Sequence, residues 1–159
     1  MPRLLPLPQA APVVKLPARP NGARGDPQKF AVRVRASRID GQGAFAAEAI
    51  PAGRKIGEIR GEPIGVQEAR RRAKGAARIM IVALSERRAI DATRCADPLR
   101  FANHSCAPNA VLRIRQGRVE ICAVRALAVG DEITVDYGQT HHAGQLRCRC
   151  GAVGCVGRL

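Results

Sequence analysis

The sequence predicts a mainly β architecture, and three observations carry that prediction. Apolar and polar residues alternate over short runs, as in Val32-Arg33-Val34-Arg35. Glycine-bearing turns separate the runs, at Gly41 and Gly43, Gly53, Gly61, Gly117 and Gly130. One stretch alone, Val66 to Gly75, reads as a helix. A chain of 159 residues is long enough for one domain with a real core. Three Phe, one Tyr and no Trp oblige that core to use Val, Ile, Leu and Ala.

Residues 1–29 hold seven of the eleven prolines and read as a disordered, weakly basic arm. Val32–Arg35 follows as a half-exposed strand. Asp40-Gly41-Gln42-Gly43-Ala44-Phe45-Ala46 is a hairpin turn or a place where backbone approaches a ligand closely. Ala49 to Gly53 turns the chain into a strand at Ile56–Ile59, which Gly61-Glu62-Pro63 ends. The helix Val66–Gly75 carries four cations and stops at its glycine. Ile79 to Leu84 reads as a buried strand, and Ala89 to Ala92 as another. Val111–Ile114, a Gln116-Gly117 turn and Val119–Val124 make a hairpin. Ala128 to Asp131 then leads into Glu132–Tyr137.

The run Arg100-Phe101-Ala102-Asn103-His104-Ser105-Cys106-Ala107-Pro108-Asn109 crowds an amide, an imidazole, a hydroxyl and a thiol together. A strand pays heavily for such groups unless each finds a partner, so a site is the cheaper explanation. The single tyrosine, Tyr137, falls in the second candidate stretch, Gly130 to Gly138.

Net charge is +14, which favours polyanionic neighbours such as nucleic acid without naming one. Six cysteines raise the question of disulfides. Met1–Pro12 is broken by Pro2, Pro6 and Pro8 and lacks a signal-peptide core, and three cysteines crowd the last dozen residues. Metal ligation in a reducing compartment is therefore expected. Cys148-x-Cys150-x4-Cys155 supplies three thiolates of the four that a closed zinc site needs. His141, His142 and Cys106 compete for the fourth place, while Cys122 alternates within an apolar strand and reads as a buried thiol. No run approaches the length of a membrane span.

Taken together, Arg100–Asn109, Asp131–Gly138 and the Cys148-x-Cys150-x4-Cys155 cluster resemble a SET domain with its post-SET zinc segment. The likeness covers roughly Val32 to Leu159. It implies several small curved sheets, a threaded, pseudoknot-like C-terminal segment and a short helical insert. The implied boundaries are an arm at 1–29, a SET domain at 30–140 with its insert at about 64–78, and a post-SET segment at 141–159.

The resemblance also implies an enzyme, an S-adenosylmethionine-dependent protein-lysine N-methyltransferase. Tyr137 is then catalytic, and Gly41, Gln42, Gly43, Arg100, Phe101, Asn103, His104 and Tyr137 meet the cofactor. Gly151, Val153 and Gly157 are expected to close over its adenine. Val135 sits in the lysine channel where relatives commonly have Phe or Tyr, and Ile59 stands where they often carry a second tyrosine. Cys106 joins Cys148, Cys150 and Cys155 on a structural Zn2+. The substrate expected is a lysine of a histone-like, ribosomal or nucleoid protein, in a cytoplasmic or chromatin-associated setting, with a secreted effector the remaining option. The Ala/Arg/Gly-rich composition fits a bacterial source. The rival reading is an inactive SET-like module, stapled by zinc, that grips a lysine tail or nucleic acid. Arg70, Arg71, Arg72, Lys74 and Arg78 on the insert are expected to repel basic tails.

Overall fold

The computed structural model describes residues 26–138 and 144–159. Residues 1–25 of the expected arm, and His141 and His142, lie outside the described residues. β1 (Val32–Ala36) and β2 (Gln42–Ala46) form an antiparallel hairpin whose turn uses Gly41 at φ +45°. β3 (Lys55–Ile59) and β4 (Glu62–Gly65) follow, then α1 (Val66–Ala73). After β5 (Ile81–Ala83) and β6 (Arg88–Asp91) a 3-10 turn, Pro98–Phe101, leads into the two-residue strand β7 (Asn103–His104). β8 (Ala110–Arg115), β9 (Arg118–Ala123) and β10 (Glu132–Val135) complete the series.

The strands pair into three small sheets, ordered β1-β2-β10-β7, β3-β9-β8 and β4-β6-β5. With one short α-helix among the described residues, this is the mainly β fold that the sequence predicts, in the several small sheets that the resemblance implies. The β8–β9 turn places Gln116 at φ 50° and Gly117 at φ 73°, the paired positive values of a type I′ turn. Gly75, at φ 77°, follows the helix as its sequence signal requires.

Ile50, Ile56, Leu99, Val119, Ile121 and Ile133 are almost wholly buried and join the sheets into one aliphatic core. Each such side chain contributes about 1.5–3 kcal/mol on burial. No helix among the described residues is long and apolar enough to cross a membrane.

One expectation needs correction, the buried strand at Ile79–Leu84, and two features lie beyond the sequence pattern. β3 ends at Ile59, before Gly61-Glu62-Pro63 as expected, and that stretch opens a further strand, β4, which pairs with β6. Pro63 is accommodated because β4 is an edge strand, where a missing N–H costs nothing. The Ile79–Leu84 strand is not buried. Its regular part, β5, is the other edge of that sheet and only partly covered, because it borders a cavity. β7 is too short to carry a pattern. β10 lies between β2 and β7, pairing antiparallel with the first and parallel with the second. Thr134 stands opposite Asn103 and Val135 opposite His104, so the sheet brings two distant stretches side by side.

Candidate active site and metal centre

Tyr137 stands at the junction of two cavities. The first, of about 330 Å³, is lined by Gln42, Arg100, Phe101, Asn103, His104 and Tyr137, with others. Its far wall is C-terminal, from Leu146 to Arg149 and Leu159. The second, of about 410 Å³, is lined by Ile59, β5, Leu112, Val135, Tyr137 and Gly138, among others. Both share Ile79, Met80, Arg100 and Tyr137.

The Tyr137 hydroxyl donates to the Ala102 carbonyl at 3.0 Å. The residue as a whole is 47% exposed, but burial at the hydroxyl end, with the charges of Asp40 and Glu132, pushes its pKa up to about 12. The phenol is therefore neutral at physiological pH.

Asn103 is 7% exposed, and its amide Nδ2 donates to the carbonyls of Asp40 and Gln42 and to Glu132 Oε1. The same Glu132 oxygen accepts from the Ser37 hydroxyl at 2.7 Å. These bonds fasten the β1–β2 turn to β10. Asn103 Oδ1 makes no hydrogen bond among the described residues, so it is free to accept from a ligand in the first cavity.

Gly41 and Gly43 do not line that cavity. A Cβ on Gly41 would lie 2.0 Å from the Arg78 guanidinium, and one on Gly43 would lie 2.3 Å from Glu132 Oε1. The glycines make room for two charged side chains, and Gln42 between them provides the cavity wall. Gly151, Val153 and Gly157 also stand apart from the cavity. Leu146 and Leu159 exchange backbone hydrogen bonds, which folds the C-terminus back and presents residues 146–149 and 159 instead. Val153 is fully exposed.

Arg100 ties the 3-10 turn to the segment that follows β6. Its guanidinium donates to the carbonyls of Ala92 and Thr93 and lies 4.3 Å from the Phe101 ring centroid. Val135, 2% exposed, is enclosed at the floor of the second cavity.

Behind the first cavity the four thiols of Cys106, Cys148, Cys150 and Cys155 converge, all within 4.8 Å of one another. Cys106 Sγ lies 3.8 Å from Cys148 Sγ and 3.9 Å from Cys155 Sγ. A tetrahedral zinc with bonds of about 2.3 Å sets sulfurs at about this separation. Burial opposes ionisation of Cys150, but N–H groups from Cys106 and Ala152 more than offset it and draw its pKa down to about 6. Burial drives Cys148 the other way, up to about 12. Four crowded thiols cannot all ionise without a cation among them, and a zinc dication answers that donor set. Cys95 and Cys122 stand outside the cluster, and Cys122 is a buried thiol as expected.

The insert arginines behave differently from expectation. Arg72 bonds Glu62, Glu68 and Asp91 at 2.7, 2.7 and 2.9 Å, and Arg71 bonds Glu68 at 2.6 Å. Those hydrogen bonds hold the Glu68 carboxyl at about 2. Arg78 pairs with Asp40 at 3.2 Å. Charge that was expected to repel a basic substrate is thus largely spent inside the protein.

Residues 41–138 match the SET domain family. The chain belongs to the SET-domain family. Over 129 residues this SET-domain chain is 39% identical to "Histone-lysine N-methyltransferase ASHH1" of Arabidopsis thaliana, covering 75% of this chain and 26% of that protein. It is 35% identical over 147 residues to "Histone-lysine N-methyltransferase, H3 lysine-4 specific" of Yarrowia lipolytica, covering 86% of this chain and 12% of that one. It is 30% identical over 141 residues to "Histone-lysine N-methyltransferase SETD1A" of Homo sapiens, covering 83% and 8%. The SET-domain chain thus spans about a quarter or less of the length of these curated relatives.

Proposed function

We propose that this SET domain is a protein-lysine N-methyltransferase using S-adenosylmethionine, with residues 30–140 forming the catalytic body and 141–159 a zinc-binding segment. The observation that carries the reading is Tyr137 at the shared wall of two cavities, one of mixed lining and one mostly apolar. S-adenosylmethionine bound there would supply an electrophilic methyl group, open to in-line displacement by a lysine amine with its thioether as the leaving group.

Gln42, Arg100, Phe101, Asn103 and His104 hold the cofactor in the first cavity, with Asn103 Oδ1 placed to accept from its amino group. Gly41 and Gly43 act behind them, through Arg78 and Glu132. The lysine stem lies in the second cavity, against Ile59, Val135 and β5. That apolar lining depresses the amine pKa from its free value of about 10.4 and so favours the neutral nucleophile. Tyr137 keeps its proton and donates it to Ala102, which leaves its oxygen free to accept an amine N–H and align the attack. The proton released from the methylated amine leaves to water. Cys106, Cys148, Cys150 and Cys155 hold a structural zinc that fastens the cavity's C-terminal wall.

The substrate we propose is a lysine in a histone-like, ribosomal or nucleoid protein. The relatives' names favour a histone tail and a chromatin setting, and the internal pairing of Arg71, Arg72 and Arg78 removes the main electrostatic objection to a basic tail. The retained Tyr137 and its two cavities weigh against an inactive tail-binding or nucleic-acid-binding module. Transfer of labelled methyl from S-adenosylmethionine to histone, ribosomal and nucleoid proteins tests the proposal. Cofactor binding without transfer to any of them would favour the inactive module instead.

A further inference from the structure

The His104 ring is 6% exposed and engaged at both nitrogens. The Tyr137 backbone N–H donates to Nδ1 at 3.2 Å, and Nε2 lies 3.4 Å from Cys106 Sγ. A backbone amide only donates, so Nδ1 is the acceptor and the ring proton sits on Nε2, where the facing group is the cysteine sulfur. One imidazole thus spans from a thiol of the four-cysteine cluster to the main chain of the tyrosine.

We propose that His104 is a positioning residue that couples occupancy of the four-cysteine site to the orientation of Tyr137. This rests on the reading above, in which the thiols hold zinc and Tyr137 aligns the transfer. β10 ends at Val135, whose carbonyl accepts the Ser105 N–H at 3.0 Å, so Tyr137 lies beyond the support of the sheet. Among the described residues two hydrogen bonds hold it, its hydroxyl on Ala102 and its N–H on His104, whose ring also packs 5.5 Å from the phenol ring. Asp136 Oδ1 approaches the same ring nitrogen only to 3.6 Å and is largely exposed, so it does not replace the amide. At the other end, a ligated Cys106 is a thiolate fixed in space, and a thiolate accepts a stronger hydrogen bond than a thiol. Zinc therefore fixes the sulfur, the sulfur fixes the ring, and the ring fixes the Tyr137 backbone. Removing zinc frees Cys106 and loosens one of the two hydrogen bonds that aim the phenol.

The chain provides its own reporter. Tyr137 is the single tyrosine and there is no tryptophan, so the near-ultraviolet tyrosine circular dichroism reads this one side chain. The experiment compares wild type with two variants in the full chain, each with and without a chelator, alongside zinc content and far-ultraviolet spectra. His104→Asn retains an acceptor near Nδ1 but does not reach Cys106. His104→Gln reaches Cys106 but has no acceptor for the Tyr137 amide. In wild type, the tyrosine band should collapse on zinc removal and return on zinc addition. Both variants should hold one zinc and show a weakened band before any chelation. Their turnover at saturating cofactor should fall about 10-fold, the scale of losses from partners of metal ligands. A zinc-loaded, folded variant with the wild-type band overturns the coupling, as does a wild-type band that ignores zinc removal. A protein that binds no zinc overturns both the coupling and the metal reading. Zinc bound with an indifferent band overturns the coupling alone.

Discussion

Tyr137 Oη donates to the carbonyl of Ala102 across 35 positions of sequence, at 3.0 Å. That bond tells what the hydroxyl does: its proton is committed, its pKa is pushed up to about 12, and its oxygen remains an acceptor. A phenol so held is an aligning group rather than a base. Tyr137→Phe should lower turnover about 100-fold, the loss typical of one oriented hydrogen-bonding group. Cofactor affinity should change little, because the hydroxyl contributes to alignment more than to ground-state binding. Single-turnover rates beside a cofactor titration separate the two, and wild-type turnover in the variant would refute the assignment.

Val135 is buried against the second cavity, the one proposed to take the lysine stem. Val135→Tyr fills space there and adds a hydroxyl that can hold a water. Products should shift toward monomethyl-lysine, read as methyl counts by mass spectrometry. An unchanged distribution would detach product state from this position.

The zinc reading predicts one metal per chain, lost in Cys150→Ser, since three ligands no longer close the tetrahedron. Elemental analysis of the purified protein decides this, and wild type without zinc contradicts it.

Arg70 and Arg72 are two residues apart on α1 but differ in role. Arg72 joins α1 to β4 and β6 through Glu68, Glu62 and Asp91, whereas Arg70 has no carboxylate within 4.0 Å among the described residues. Arg72→Ala should lower the melting temperature and slow methylation of every substrate. Arg70→Ala should leave melting unchanged. Equal melting curves for the two variants would mean that the three-acid clamp is not holding the insert.

Asp97 is 3% exposed and accepts from the Arg60 backbone N–H at 2.9 Å and from its guanidinium at 2.8 Å. Burial alone would raise its pKa, but the bonds from Arg60 outweigh burial and hold it below the usual value. A depressed carboxyl pKa contributes stability that is present at neutral pH and is lost as pH falls through the native value. Because the Arg60 side chain is 61% exposed, water and salt screen the pair, and Arg60→Ala should cost about 1–2 kcal/mol at neutral pH. That difference should shrink below about pH 4, as Asp97 protonates. Denaturant melts at several pH values check it, and a pH-independent difference would contradict the assignment.

Much of this was legible in the chain itself. Alternation and turn glycines are local, so β1, β3, the β8–β9 hairpin and the helix stop at Gly75 follow from short-range sterics and period. The Asn103–Cys106 run and the terminal cysteines announce chemistry because such groups are costly anywhere but a site. Other features depend on partners far away in sequence. β7 is two residues long and becomes a strand only because β10 lies beside it. Gly41 and Gly43 suggest a ligand from sequence, yet their space is taken by Arg78 and Glu132, which no local pattern names. Arg72 reads as part of a free basic face until Glu62 and Asp91 arrive from β4 and β6 and neutralise it. Sequence alone determined which residues could do chemistry. Tertiary structure decided which of them meet, because hydrogen bonds and ion pairs act over a few ångströms and only the fold brings distant side chains that close.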